Sequence, residues 1–215
     1  MTDVHCHIRG GDDSVREFVI GEHFAGVHPW DAAGTADDAI AELREKLLAD
    51  PSLGVGEIGL DRLKCRDIPP RMRELFEAQL RLGVEFARPI VLHGAKCWGQ
   101  VVEKVKSEKG KNCGATFLFH GFSRSDGLIP DIEKLGGFIS VGPAVLNDHA
   151  VNYRELVKRI PDRLLVLETD RTAENAPECP PLRAIAEKTA ELRGIPLAAL
   201  ETLTDANAAR FRFMI

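Results

Sequence analysis

The sequence predicts an α/β fold, a TIM-like (β/α) barrel of parallel strands, from three observations. Short apolar runs rich in Val, Ile, Leu and Phe alternate along the 215 residues with longer segments of helical period. The predicted strands are apolar on both faces, as expected for a sheet covered by helices. Polar side chains recur at the strand ends, which a barrel gathers at one mouth.

Seven runs have the length and composition of strands, one fewer than a complete barrel of this kind contains. They are residues 3–8, 24–28, 53–60, 89–93, 115–122, 138–141 and 164–169. We therefore expect a distorted, seven-stranded barrel in which a short helix occupies residues 13–21. A strand at residues 17–20 would instead raise the number to eight.

Helical segments fill the intervals, and their ends carry recognisable signals. Thr35 is a candidate N-cap for a helix over residues 36–49, with Asp38 in the first turn and Pro51 after the end. Pro70 can open the next helix, because proline in the first turn gives up only an unpaired N–H group. Further helices are predicted over residues 98–109, 125–135, 150–160, 181–193 and 196–212.

Composition restricts the classes of partner. Lys and Arg total 28 against 33 Asp and Glu, giving a net charge of -5 and a pI near 5.8. No global positive field exists to hold nucleic acid or an anionic membrane, so any phosphate binding must be local. No apolar run approaches the roughly 20 residues of a membrane span, and the start MTDVHCHIRGG has no signal-peptide features.

The five cysteines are an odd number without a Cys-x-x-Cys pair, which favours free thiols in a reducing compartment. The chain shows no internal repeat, low-complexity tract or long linker, so residues 1–215 are predicted to form a single domain. We expect a cytoplasmic protein without membrane association, and nothing implies a stable protein partner.

Histidines and acidic residues are placed where a metal centre would need them. His5 and His7 share one face of the first predicted strand. The others lie at or near later strand ends, namely Glu57, His93, His120 and Asp170. A closed parallel barrel brings strand ends together, and a divalent metal would offset the cost of burying such groups.

Each of these residues also has a simpler interpretation. A single histidine in an apolar strand is more often a hydrogen-bonded core residue, and Glu57 or Asp170 alone could be an ion-pair partner. The joint placement of all six at one rim favours the metal centre. Four imidazoles and two carboxylates are too many for one tetrahedral zinc, and they suit two metals that share a bridging carboxylate.

In order and spacing, these motifs resemble the TatD family of metal-dependent hydrolases, within the wider amidohydrolase-like barrels. The resemblance covers nearly the whole length, in the segments DVHCHI, GVHPW, GEIGLD, PIVLHG, FHGFSRS, LETD and NAARF. It implies that one metal is held by His5, His7, Glu57 and Asp170. It implies that a second is held by Glu57, His93 and His120.

The resemblance also implies the chemistry. Glu57 would bridge two divalent ions (Zn, Mg or Mn), Asp170 would take the proton of the attacking water, and His28 would contact a substrate phosphate or a ligand rather than a metal. Two such ions lower the pKa of a shared water to about 7, so a bridging hydroxide would be the nucleophile. The resemblance makes a deoxyribonuclease acting on single-stranded DNA the leading activity.

The chain departs from the family pattern in three places, one of which is Arg171, a less usual residue directly after Asp170. Only about 20 residues separate His7 from His28, where typical members have two βα units, so we expect a shortened barrel with a more open mouth. After His93 the chain has Gly-Ala-Lys96 where many members have Cys-Arg, so the arginine's role passes to Lys96 or is lost.

Phosphodiester cleavage needs positive charge around the non-bridging oxygens. Candidates near the mouth are Lys64, Lys96, Arg124 and Arg171, each of which could equally be a solvated loop charge. Phe122 and Trp98 are candidate stacking platforms for bases, whereas Trp30 and Trp98 otherwise have the character of ordinary rim or core aromatics.

Three functions therefore compete. The first is a metal-dependent deoxyribonuclease. The second keeps the metals but hydrolyses a small amide, lactone or phosphate ester, and a substrate panel separates these two. The third is a non-catalytic metal-binding or partner-binding barrel, which a failure to bind metal after reconstitution would indicate.

Overall fold

The computed structural model describes residues 1–110, 114–123 and 125–212. Within these ranges, the strands are β1 (Thr2–Cys6), β2 (Arg16–Val19), β3 (Phe24–Ala25), β4 (Gly54–Asp61), β5 (Pro89–Ala95), β6 (Thr116–Phe119), β7 (Gly137–Val141) and β8 (Leu165–Leu167). All pairings are parallel, in the order β2-β1-β8-β7-β6-β5-β4-β3. A single bridge between Ile20 and Phe24 joins the two outer strands, so the sheet forms a nearly closed barrel.

In the part of the chain that the structure describes, five helices connect successive strands from β3 onwards, and two more follow β8. They are α1 (Ala39–Ala49), α2 (Pro70–Glu85), α3 (Trp98–Glu108), α4 (Ile129–Lys134), α5 (Val151–Arg159), α6 (Leu182–Arg193) and α7 (Leu197–Arg212). Among the described residues, no helix combines the length and apolar character that crossing a membrane requires. Four cysteines are free, and the fifth, Cys113, lies outside the described residues.

The predicted barrel is confirmed, but it has eight strands rather than seven. Residues 13–21, expected to hold a short helix, contain β2, as the alternative at residues 17–20 proposed. Phe18 and Val19 are buried, and the Ile20 amide donates to the Cys6 carbonyl oxygen. The free edge of β1 needs hydrogen-bond partners, and this requirement outweighs the weak helical pattern of a short segment.

Two helix starts also differ from the prediction. Thr35 does not cap α1, because its hydroxyl donates to the Asp31 carbonyl oxygen and closes a 3-10 turn over Pro29–Gly34. Helix α1 begins only at Ala39, and Asp38 precedes it without a side-chain cap. The helix predicted over residues 125–135 is a 3-10 turn followed by α4, whose proline occupies the first turn, where no hydrogen bond is lost.

The barrel is apolar beneath a polar mouth. Val91, Leu118 and Val166 belong to one buried cluster that Phe211 of α7 completes. Because side chains on one face of a strand recur every second residue, the residues two positions further along point the same way. Those residues are His93, His120 and Glu168.

Strands β4 and β5 approach most closely where they carry the site. A Cβ atom at Gly59, whose φ is +156°, would lie 1.9 Å from the His93 carbonyl oxygen. Only glycine fits this approach. The second glycine of GEIGLD therefore allows β4 and β5 to pair in the register that places Glu57 beside His93.

Candidate metal centre

The predicted metal ligands converge on Glu57, a buried residue of β4. Its two carboxylate oxygens face different partners. His5 and His7 approach Oε2 with their Nε2 atoms, each at 3.4 Å. His93 Nδ1 and His120 Nε2 approach Oε1, at 2.6 Å and 2.9 Å. One carboxylate therefore lies between two groups of donors.

The first group is completed by Asp170, which follows β8. Its Oδ1 lies 3.4 Å from His5 Nε2 and 3.6 Å from His7 Nε2. Donor atoms about 2.1 Å from a tetrahedral zinc ion lie about 3.4 Å apart, so this spacing is that of ligands around one ion. His5 Nε2 is buried and has no hydrogen-bond partner, a costly state that a bound cation relieves. The group therefore fits a divalent metal.

The second group differs because carboxylates lie behind its histidines. His93 Nε2 lies 3.1 Å from Asp61 Oδ2. His120 Nδ1 lies 3.4 Å from Glu168 Oε2, and Oε1 of Glu168 accepts the Gly121 amide. Metal-ligating histidines commonly donate their other ring N–H to a carboxylate, which orients the ring and fixes the tautomer. These contacts suit His93 Nδ1 and His120 Nε2 as the atoms that face a metal.

His28 lies beside the second group, but its hydrogen bonds favour a different tautomer from the one that a metal ligand at this position would need. Its Nε2 is 3.6 Å from Glu57 Oε1, close enough to be counted with His93 in a possible metal-binding group. However, its Nδ1 accepts the Trp30 amide at 3.2 Å. The neutral ring then carries its proton on Nε2, so that atom faces Glu57 as a donor. This geometry favours a role for His28 outside the ligand set.

The charges of the site favour a bound cation. Burial opposes ionisation of Glu57, yet its contacts with His120, His28 and His5 hold its pKa well below the usual range. Burial also disfavours a protonated His5, but the Asp170 and Glu57 carboxylates raise its pKa to about 9. The pKa of His120 is raised well above its ordinary value by Glu57 and Glu168 against the effect of burial. The buried carboxylates thus attract positive charge.

Sequence reasoning missed Asp61 and Glu168. Both lie within the quoted motifs GEIGLD and LETD, and alternation along a strand gives the signal that finds them. Asp61 is four residues beyond Glu57, and Glu168 is two residues before Asp170, so each pair shares a face. Asp3 was missed as well, and its carboxylate accepts the amide and hydroxyl of Thr169.

The predicted substrate contacts are not all brought to the centre. Lys96 follows β5 with a left-handed φ of 56°, but it is not among the residues that line the metal cavity. The guanidinium of Arg171 donates to the carbonyl oxygens of Ala176 and Cys179, so it braces its own loop. Lys64 lies at the rim beside Trp30. Arg124 lies outside the described residues.

The two suggested stacking platforms are wrong. Phe122 and Trp98 are both buried and pack against each other, with ring centroids 5.4 Å apart. The apolar environment between β5, β6 and α3 takes them into the core. Trp30, for which the sequence leaves both a rim and a core position open, is exposed.

Two cavities meet at Asp170. One, of about 620 Å³, is lined by metal-centre residues together with Trp30 and Glu174. The other, of about 560 Å³, is lined by Glu168, Tyr153 and Asn175 among others. Both volumes are typical of ligand-binding pockets. Asp170 therefore separates two spaces in which parts of a substrate can lie.

A family model for TatD-related DNases matches residues 15–212. The chain belongs to this family. The resemblance inferred from the motifs is thereby confirmed, and the protein is a metal-dependent hydrolase of the TatD type.

Named relatives cover most of the chain. The "3'-5' ssDNA/RNA exonuclease TatD" of Klebsiella pneumoniae is 32% identical over 196 residues, which are 85% of this chain and 73% of the relative. The "uncharacterized metal-dependent hydrolase YabD" of Bacillus subtilis is 28% identical over 194 residues, 86% of this chain and 74% of the relative.

A solved structure confirms the fold. The TatD homologue YJJV of Escherichia coli superposes with a TM-score of 0.75 at 22% identity, over 95% of this chain and 79% of that chain. At this identity the likeness concerns the architecture alone.

Proposed function

We propose that this TatD-type hydrolase cleaves phosphodiester bonds of single-stranded DNA with two divalent ions. His5, His7, Glu57 and Asp170 would hold one ion, and Glu57, His93 and His120 the other. The observation that carries the proposal is the position of Glu57, whose two oxygens face the two donor groups. The curated relative from Klebsiella, named an exonuclease of ssDNA and RNA, supports the choice of substrate.

Bound divalent ions would lower the pKa of a water molecule and polarise a phosphoryl oxygen at the centre. The chain's own residues then handle the proton. Asp170 is suited to accept it because its side chain is 44% exposed, whereas that of Glu57 is 2% exposed. Burial raises the pKa of Asp170, but His5 and His120 reverse the effect, so its pKa is lowered and it stays a carboxylate at neutral pH. An ionised, accessible carboxylate can take a proton from water.

The cavities on either side of Asp170 support a chain-like substrate. A nucleotide on one side of the scissile bond would occupy the space near Trp30, and its neighbour would occupy the space near Tyr153. His28 presents its Nε2–H towards the centre, where it can donate to a phosphate oxygen.

The test compares wild type, Glu57→Ala and a surface control, Glu45→Ala on α1. Metals per chain are counted by mass spectrometry after loading with Mg²⁺, Mn²⁺ or Zn²⁺, and cleavage is followed on end-labelled single-stranded DNA. We expect Glu57→Ala to lose metal and to reduce the rate by about four orders of magnitude, the scale on which a catalytic unit fails when one member is removed. Glu45→Ala should match wild type.

The same cavities also favour a runner-up, a hydrolase of small esters or amides, since each volume is that of a small-molecule site. Metal binding through Glu57 without DNA cleavage, but with turnover of a small ester, amide or lactone, would select it. Absence of bound metal after reconstitution would overturn both catalytic proposals.

A further inference from the structure

An exposed indole stands at the rim of the metal cavity, and the hydrolytic chemistry does not use it. Trp30 lies in the 3-10 turn after β3 and is 56% exposed, although it lines the same cavity as Glu57 and His93. The other tryptophan, Trp98, is only 4% exposed. A tryptophan offers a large apolar ring together with an N–H donor, a combination that is enriched at binding interfaces, and here it lies beside the cavity of the candidate centre.

The indole is fixed in place despite its exposure. Its Nε1–H donates to Asp61 Oδ2 at 2.7 Å, and the other oxygen of Asp61 accepts the amides of Leu63 and Lys64 at 2.6 Å and 2.7 Å. The ring of His28 meets it edge-on, with centroids 4.9 Å apart. A ring already held in one orientation loses little conformational entropy when a ligand packs on it.

A cation accompanies the ring. Lys64 places Nζ 4.7 Å from the centre of the Trp30 ring, and no carboxylate within 4 Å of that ammonium is found among the described residues. An aromatic ring with a nearby ammonium is the combination by which proteins hold single-stranded nucleic acid, since every base has a π-face and every linkage a phosphate.

We propose that Trp30 and Lys64 form a nucleotide subsite, in which a base stacks on the indole and the ammonium of Lys64 contacts the adjacent phosphate. This inference rests on the proposed nuclease function and specifies how that site takes its substrate. Stacking does not read base edges, so the subsite favours substrates that carry a base over abasic ones, with little preference among sequences.

Binding can be tested without catalysis. Wild type in EDTA is titrated with a thymidine oligonucleotide and with an abasic oligonucleotide of equal length, and tryptophan fluorescence is recorded. Stacking on Trp30 quenches the exposed indole, so the base-bearing oligonucleotide should quench the emission and the abasic one should not. Trp30→Phe, which leaves only buried Trp98, should lose this signal. Equal emission with both oligonucleotides would overturn the proposal.

Kinetics with metal-loaded protein separate stacking from positioning, since Trp30 also touches Asp61. Trp30→Ala should raise KM for single-stranded DNA about tenfold, the scale of one base stacked on an aromatic ring, and leave KM for the abasic substrate unchanged. Trp30→Phe keeps a ring but removes the N–H donor, and it should restore most of the affinity. Leu63→Ala, an exposed change on the same loop, is the matched control.

Lys64→Gln should weaken binding of both oligonucleotides and reduce the steepness of the salt dependence by the share of one phosphate contact. If Trp30→Ala lowers kcat equally on both substrates with KM unchanged, Trp30 acts only through Asp61 and the subsite is refuted. If wild type quenches with base-bearing DNA but does not cleave it, the nuclease proposal fails while the subsite stands.

Discussion

The two sides of Glu57 are built differently. On the side of His5, His7 and Asp170, the donor atoms stand 3.4–3.6 Å apart. On the side of His93 and His120, the ring nitrogens lie within 2.9 Å of Glu57 Oε1.

The groups that face the other ring nitrogens of the histidines also differ between the two sides. A carboxylate oxygen lies 3.1 Å from His93 Nε2 and 3.4 Å from His120 Nδ1, whereas no carboxylate of the described residues lies within 4 Å of His5 Nδ1. The first side already has the spacing of ligands around an ion, while on the second side the ring nitrogens lie closer to Glu57 Oε1 than the roughly 3.4 Å expected between ligands of a tetrahedral ion. We therefore expect the first side to bind metal more tightly than the second.

The largest effect should come from removing one histidine from each side. His7→Ala and His93→Ala should each lose one ion per chain, and each should reduce DNA cleavage by about three to four orders of magnitude because the centre acts as a unit. In a Mn²⁺ titration, His7→Ala should lose the tighter step and His93→Ala the weaker one. Loss of the same step in both variants would contradict the difference between the sides.

Asp170→Asn should separate binding from proton transfer on the first side. The amide retains an oxygen donor but cannot accept the proton, so we expect kcat to fall by roughly 10²–10⁴-fold, the usual contribution of a positioned base. Metal content should change less than in His7→Ala. Equal loss of metal in the two variants would show that Asp170 acts only as a ligand.

Changing the carboxylates that lie behind His93 and His120 should have a smaller effect on metal binding than removing the histidines themselves. Asp61→Asn and Glu168→Gln each weaken the carboxylate behind one histidine, and about a 10–100-fold loss of metal affinity is expected for such partners. The loss should be confined to the weaker step of the Mn²⁺ titration. A change in the tighter step would show that these carboxylates act on the side of His5, His7 and Asp170, which would contradict the assignment.

The smallest expected effect is the release of protons from the histidine rings when metal binds. It can be measured by calorimetry in buffers of different ionisation enthalpy. Carboxylate neighbours raise the pKa values of His5, His93 and His120 against the effect of burial, so in the metal-free protein the three rings are protonated below those values. A ligand must be neutral, so binding releases protons, and metal affinity falls as pH falls. Near pH 6 the first side should release roughly one proton from these rings and the second roughly two; above the raised pKa values the release should vanish.

The convergence of six residues, Glu57 and the five around it, was predictable because metal-binding residues in such a barrel follow a simple pattern, a polar residue at the end of an apolar strand. Asp61 and Glu168 follow the same pattern less clearly, since an acidic residue next to a strand end is also common on a surface. Trp30 could not be predicted as exposed and fixed, because its contacts with Asp61 and Lys64 join separate segments of the chain.

Strand β2 was predicted only as an alternative, at residues 17–20, for a related reason. Four residues carry too little periodicity to identify a strand, and β2 exists because the edge of β1 requires a partner. The number of residues between His7 and His28 predicted a shortened connection. It could not show whether that connection is a helix or a strand, since both fit the same length.

Strand β1 pairs with β8, which lies late in the sequence, and Asp3 of β1 accepts two hydrogen bonds from Thr169. During synthesis, His5 and His7 are added to the chain long before Asp170. Contacts this distant in sequence form slowly, because a long loop must close before any of them is made. The donor groups of the candidate centre are therefore brought together only when the segment after β8 pairs with β1, where the Asp170 amide donates to the His5 carbonyl oxygen.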